Sequence, residues 1–210
     1  MSLSIALTKG RLEKSTVAML SKMHYGVEPL LDKGRALVFY DTKKDIRYFL
    51  AKPADVITYV EHGVADIGIV GKDTLMEKEH DCYELLDLKE GICKFVLAGL
   101  KDHNPLELVG HIRIGTKYPN ITAAYFHRQG LEVEIIKIEG SVELGPVLGL
   151  CDGIVDIMET GTTLKENGLV VYDTVCPVSA RAIVNKSAFK LKKDEVMSLL
   201  NGLKEVRDHA

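Results

Sequence analysis

What most constrains the fold of this chain is a repeated change of period. Short apolar runs alternate with longer stretches in which apolar residues return every three or four positions. Ser4–Thr8 (SIALT) reads as a strand, and Leu12, Met19, Leu20 and Met23 then follow at helical spacing, with Gly26 placed to end the helix. Ala36–Tyr40 is a second strand candidate. Residues 52–62 read as a helix with Val56, Tyr59 and Val60 on one face. Further strands are expected at Asp66–Val70, Phe95–Ala98, Ile112–Ile114, Val133–Ile136, Ile154–Ile157 and Ala182–Val184, with a helix over Ile121–Gln129. In the tail, Val196, Leu199, Leu200, Leu203 and Val206 form one stripe of a core-facing helix. Strands alternating with helices predict an α/β fold with largely parallel sheets.

Composition removes several functional classes. The 210 residues carry a net charge of -3, which argues against a broad nucleic-acid surface. Nothing approaches the ~18 consecutive apolar residues of a membrane span. No basic segment followed by an apolar run opens the chain, so no export signal is expected and the cytoplasm is the expected compartment. Cys82, Cys93, Cys151 and Cys176 form no Cys-x-x-Cys pair, which points to buried free thiols and away from zinc or a disulfide framework. The seven histidines show no metal-like spacing, so no protein-held metal is expected; His62 and His127 suit helix ends.

Two turns can carry chemistry. Asp156 closes an apolar run and is followed by Glu159, Thr160, Gly161, Thr162 and Thr163 before a helix-like stretch. Gly161 lets the backbone approach a ligand, the hydroxyls donate, and first-turn N–H groups of a helix attract phosphate. A carboxylate beside them repels phosphate but accepts sugar hydroxyls or helps to hold Mg²⁺. An acid followed by Thr-Gly-Thr-Thr therefore fits a phosphorylated ribose, although an ordinary capped βα turn has the same sequence. Thr8-Lys9-Gly10-Arg11 is the second turn, with fixed positive charge at the start of a helix. "GVADIGIVGKDTL" from Gly63 is echoed by "GLCDGIVDIMETGTTL" from Gly149. The echo fits either chance or two lobes that each present a strand-turn-helix to a shared cleft.

The stretch Glu143–Leu164, together with "LTKGR", "DVITYVEHGVADIGIVGKDTL", "ELLDLKEGICKFVLA", "IRIGTKYPNITAAYF" and "CPVSARAIVN", resembles the ATP phosphoribosyltransferase family over nearly the whole chain. Cys151 stands where the family has a small residue, and Lys52 and Ile57 where it has Arg and Pro. The resemblance implies a two-lobed fold like the type II periplasmic binding proteins, with mixed, mostly parallel sheets and a cleft between lobes. It places one lobe at residues 1–99 plus 181–210, on the ATP side, and the other at 100–180, which binds phosphoribosyl pyrophosphate. The implied reaction, the first step of histidine biosynthesis, joins the phosphoribosyl group to N1 of ATP and releases pyrophosphate, with Mg²⁺ carried by the substrate. Asp156, Glu143, Glu159, Thr160, Gly161, Thr162 and Thr163 would hold the ribose and its 5-phosphate. Lys9, Gly10 and Arg11 would serve ATP and pyrophosphate, with Lys9 and Arg11 catalytic. Arg35 would add charge to the ATP site across a dimer interface; Asp66 is grouped with the ATP residues, and Asp66 and Cys93 line the cleft or support it. The chain ends after one helix, so the expected form is the short one, a homodimer that joins a regulatory subunit resembling histidyl-tRNA synthetase. A bilobal solute-binding protein without chemistry, or a phosphoribosyltransferase with another acceptor, would share much of this pattern.

Overall fold

A computed structural model describes residues 3–32, 34–41 and 44–209. In chain order the first part contains β1 (Leu3–Thr8), α1 (Arg11–Lys22), α2 (Glu28–Leu31), β2 (Val38–Asp41), β3 (Ile46–Ala51), α3 (Pro53–Glu61), β4 (Ile67–Gly71), α4 (Lys72–Glu77) and β5 (Tyr83–Asp87). The middle contains β6 (Cys93–Leu100), β7 (Arg113–Thr116), α5 (Pro119–Arg128), β8 (Glu134–Lys137), α6 (Leu144–Val147), β9 (Gly153–Met158), α7 (Thr162–Glu166) and β10 (Leu169–Val178). The last part adds β11 (Ala180–Val184), α8 (Lys186–Leu191) and α9 (Lys193–Asp208). These form two compact units, Met1–Gly91 with Ser179–Ala210, and Ile92–Val178.

In the first unit the sheet runs β2-β3-β1-β4-β11-β5. Parallel strands β3, β1 and β4 form its centre, and β2 and β11 run against them. Every residue of β1 is buried because both faces of the sheet are covered. Ile5 and Leu7 meet α1 and α9 on one face, whereas Ala6 meets α3 on the other. Gly68 shows how closely α3 lies on β4. A Cβ there would stand 2.7 Å from Val60 Cγ2 and 2.8 Å from Val56 Cγ1. Val56, Ile57 and Val60 are fully buried, each stabilising by about 1.5–3 kcal/mol. Tyr59, expected on that face, is instead 38% exposed, and Ile57 takes the inward position. The α9 stripe is buried as expected from Val196 to Leu203, with Val206 at its edge.

The second unit's sheet runs β10-β6-β9-β7-β8, with only β6 opposed to its neighbours' common direction. Three strands lie outside the expected set: β3, β5 and β10. Pro177 within β10 is tolerated because β10 is an edge strand, bulged between Val171 and Asp173 and again between Thr174 and Cys176. The first helix ends earlier than Gly26. His24 takes the left-handed turn at φ 59°, while the Gly26 N–H donates to Asp41 Oδ2 at 2.6 Å. Of the four free cysteines only Cys151 is buried; the other three are half-buried, which corrects the expectation of four buried thiols.

Candidate active site

Three adjacent parallel strands of the first unit are each followed at once by a lysine: β3 by Lys52, β1 by Lys9 and β4 by Lys72. Thr8 pairs with Ala51, and the Lys9 N–H donates to Ala51 O at 3.0 Å, so Lys9 and Lys52 lie side by side. On the other flank Thr8 Oγ1 donates to Ile69 O at 2.7 Å. The Lys9 turn is thus fixed to both neighbouring strands. Gly10 starts α1 at φ 108°, where a Cβ would meet nothing within 4 Å. Its necessity is therefore torsional, and the space above it is open to a ligand. The buried Glu13 carboxylate accepts from the Gly10 N–H at 3.4 Å, and Lys9 and Arg11 point to solvent.

Arg35 reaches this same end of the sheet from the antiparallel strand. Leu50 N donates to Leu37 O at 2.9 Å, which ties the turn before β2 to the end of β3. Arg35 is exposed and makes no hydrogen bond or ion pair among the described residues. Its neighbours along the chain are apolar and open: Leu37 and Val38 are each about half exposed. At a strand spacing of ~4.8 Å, the turns carrying Arg35, Lys52, Lys9 and Lys72 span about 15 Å along one edge. Lys72 is held there by Glu84 Oε2 at 2.6 Å. Asp66 is not part of this row. It precedes β4 at the opposite end of the sheet, accepts from Ser4 N at 2.8 Å and Ser4 Oγ at 3.0 Å, and pairs with Lys192 at 2.8 Å. Its carboxylate ties β1 and β4 to Lys192 at the start of α9, which supports these elements and sets it apart from the row of lysines.

The corresponding edge of the second unit has different chemistry. Asp156 lies on β9 just past Val155, which pairs with Thr116 of β7. Burial pushes its carboxyl up to about 6, and the Glu143 charge adds to the shift. A hydrogen bond from the Ile157 N–H and the charge of Lys117 act in the other direction. Glu143 is half-buried at the start of α6, and Glu159 and Thr160 are exposed. Gly161 takes the left-handed conformation, φ 81° and ψ 2°. A Cβ there would stand 3.0 Å from Met158 Sδ. Thr162 N donates to Thr160 Oγ1 at 3.4 Å, and the two hydroxyls are 3.1 Å apart. Buried Leu164 anchors α7 to the core beneath. The helix has only five residues, so an anion here would be held by single N–H and O–H groups more than by a macrodipole. Cys93 starts β6 and packs against the core around Phe95.

Among the described residues no three His, Cys, Asp or Glu side chains are grouped to hold a metal. Carboxylates are present to add one or two ligands to a Mg²⁺ already bound by phosphates. Reading the sequence missed Lys72 and Lys117 and left Lys52 without a role. Its only signal was a lysine directly after an apolar run, which becomes meaningful once topology sets those runs side by side.

The family model described as ATP phosphoribosyltransferase matches residues 52–205. An ATP phosphoribosyltransferase of Clostridium acetobutylicum is 55% identical over 97% of this chain and 94% of its own length. One from Bacillus mycoides is 55% identical over 97% of this chain and 96% of its own length. Among solved structures, the ATP phosphoribosyl transferase (HisG:HisZ) complex from Thermotoga maritima contains a chain that aligns at TM-score 0.83 and 40% identity, covering 99% of this chain and all of that one. The Escherichia coli periplasmic aliphatic sulphonate binding protein aligns at TM-score 0.63 with 12% identity, over 98% of this chain and 72% of its own, a likeness of fold alone.

Proposed function

The chain belongs to the ATP phosphoribosyltransferase family, and from that premise we infer how its residues serve the reaction. It transfers the phosphoribosyl group of phosphoribosyl pyrophosphate to N1 of ATP, giving N1-(5-phosphoribosyl)-ATP and pyrophosphate, the first step of histidine biosynthesis. Its solved relative groups it with the short-form catalytic subunits.

The observation that carries the assignment of roles is the left-handed Gly161 turn that follows β9 and its Asp156. As pyrophosphate leaves, C1 of the ribose gains oxocarbenium character and N1 of adenine attacks it. The protein's task is to position two anionic ligands and to offset charge on the leaving group. Asp156 and Glu143 accept from the ribose hydroxyls and share a substrate-borne Mg²⁺. Glu159 to Thr163 wrap the 5-phosphate, with Thr160 and Thr162 turning their hydroxyls toward it. Lys9, Gly10 and Arg11 hold the ATP phosphates and the departing pyrophosphate, and Lys52 and Lys72 lengthen that row. Arg35, beside exposed Leu37 and Val38, fits an interface where a second copy would cover the apolar side chains and the guanidinium would serve the ATP site. No residue is assigned as an obligate general base.

Incubating the purified chain with ATP, phosphoribosyl pyrophosphate, Mg²⁺ and pyrophosphatase should yield phosphoribosyl-ATP by mass. Product with a different acceptor only, or binding without product, would overturn the reading. Nothing favours the solute-binding alternative beyond the fold shared at 12% identity.

The partner follows from the relative whose structure is a HisG:HisZ complex. We infer a cytoplasmic hetero-oligomer in which a homodimer of this chain joins a subunit resembling histidyl-tRNA synthetase, and histidine acts through that subunit. No described helix is long and apolar enough to cross a membrane. Histidine should inhibit only after the partner is added, with co-elution on size exclusion. Potent, non-competitive inhibition of the pure chain would refute this arrangement.

A further inference from the structure

We propose that Lys117 is the cation of the second unit's edge, binding a phosphate oxygen of the phosphoribosyl donor beside Asp156; the proposal rests on the transferase reading above. Lys117 is the first residue past β7, one strand over from Asp156 on β9. Neighbouring strands are ~4.8 Å apart, which puts the Lys117 backbone beside that carboxylate.

The turn is held in place by a buried hydroxyl. Thr116, fully buried, donates from Oγ1 to Val155 O at 2.7 Å and accepts from Tyr118 N at 2.9 Å. Thr122, also fully buried, donates to Tyr118 O at 2.8 Å and lies 3.2 Å from Thr116 Oγ1. The backbone of Lys117 is therefore clamped onto β9 from both sides, while its side chain points to solvent. It makes no hydrogen bond or salt bridge among the described residues. Lys137, the lysine that ends β8, is engaged by Glu139 at 2.7 Å.

Electrostatics call for such a group. Glu139 and Glu143 follow β8, Glu159 follows β9 and Asp156 lies two residues before the end of β9, and a donor carrying a 5-phosphate and a diphosphate would be repelled by them. Lys117 is electrostatically coupled to both Asp156 and Glu139, so its charge already acts on this group of acids. Acids that accept hydroxyls and share Mg²⁺, with one ammonium for a phosphate oxygen, suit a ligand that is both sugar and polyanion.

The test uses the whole chain as wild type, Lys117→Ala and Lys117→Arg, with calorimetric titration in Mg²⁺. Phosphoribosyl pyrophosphate, ATP, ribose 5-phosphate and inorganic pyrophosphate are the probes. Lys117→Ala should weaken the phosphoribosyl donor by about 10- to 100-fold, and Lys117→Arg should restore most of it. ATP affinity and melting temperature should stay at wild-type values. Loss confined to ribose 5-phosphate places Lys117 on the 5-phosphate; loss confined to pyrophosphate places it on the diphosphate. Unchanged donor affinity in a folded Lys117→Ala, or an equal loss for ATP, overturns the proposal alone. A folded wild-type chain that binds no phosphoribosyl pyrophosphate overturns the transferase reading and this proposal with it.

Discussion

In the first unit, β3, β1 and β4 lead into Lys52, Lys9 and Lys72, and no acid follows them directly. In the second unit, β9 carries Asp156 near its end and leads into Glu159, while β7 leads into Lys117. Both edges are built from parallel strands that run into helices, yet one is a row of cations and the other is acids around a hydroxyl-rich turn. The contrast matches what each edge is proposed to hold. A triphosphate needs fixed positive charge and offers few donors of its own. A ribose carrying phosphates needs acceptors for its hydroxyls, small donors for the 5-phosphate, and a metal to reconcile acids with a polyanion. The acidic edge has a cost in stability that the basic edge lacks, because Asp156 is half-buried and forms no salt bridge among the described residues.

That cost sets the largest prediction. An Asp156 carboxyl at about 6 in the fold, against 3.8 for a free one, binds its proton more tightly folded than unfolded. Stability should therefore fall as pH rises from about 4 to 6, and above that range the apo fold carries roughly 2–3 kcal/mol of penalty. Asp156→Asn removes the charge. It should raise the melting temperature at pH 8 by roughly 5–10 °C and give little gain near pH 4. The same variant should lose transfer by about 100-fold or more, since the acceptor for ribose hydroxyls and Mg²⁺ is gone. A melting curve at each pH, with an activity assay, checks both signs. Destabilisation at pH 8 would show that Asp156 is held by partners and not strained by burial.

Gly161→Val comes next and tests the turn without touching charge. Valine at φ 81° should cost about 1–3 kcal/mol of strain, and its Cβ would press on the flexible Met158 side chain. Affinity for phosphoribosyl pyrophosphate should drop by more than that strain alone explains, while ATP affinity holds. An unaltered donor affinity in a folded variant would remove the phosphate-turn assignment. Arg11→Ala probes the opposite edge. It should lower turnover by about 10- to 100-fold, the equivalent of losing one charge-assisted contact of 1.5–3 kcal/mol, and leave the melting temperature unchanged. Wild-type kinetics would leave Arg11 as a solvated charge.

How much of this contrast could be read before folding differs between the units. The second unit's turn is contiguous, Asp156 through Thr163, so one stretch of chain showed acid, glycine and threonines together. The first unit's edge is assembled from turns spread along the chain from Lys9 to Lys72, and only strand order reveals it as a row. The missing piece was β3. Ile46–Ala51 has no period-two pattern because five of its six residues are buried, on both faces of the sheet. Without β3, Lys52 was a departure from a motif; with Thr8 paired to Ala51 it is the neighbour of Lys9. A Gly-x-x-Asp pattern opens both echoed segments, with Asp66 in the first and Asp152 in the second. The structure puts Asp66 before its strand, whereas the site acid proposed in the second segment, Asp156, lies within β9 and toward its end.

Lys52 gives the smallest effect and the finest test of the row. It is exposed at the N-cap of α3, and Pro53 follows it, which removes one backbone donor from that turn. Any phosphate contact here must come from the side chain and the remaining first-turn N–H groups. An ammonium acts as a point charge, whereas a guanidinium offers two parallel N–H donors to one phosphate. If the row from Arg35 to Lys72 holds the ATP phosphates, Lys52→Arg should tighten ATP by about two- to five-fold, and Lys52→Ala should weaken it by roughly five- to ten-fold. Neither change should move the affinity for phosphoribosyl pyrophosphate measured without ATP if that donor is held by the second unit, as proposed. Titrating both substrates against both variants reads this directly. ATP affinities that do not respond to either substitution would shorten the row to Lys9 and Arg11. A change confined to the phosphoribosyl donor would break the division between a basic edge for ATP and an acidic edge for the sugar.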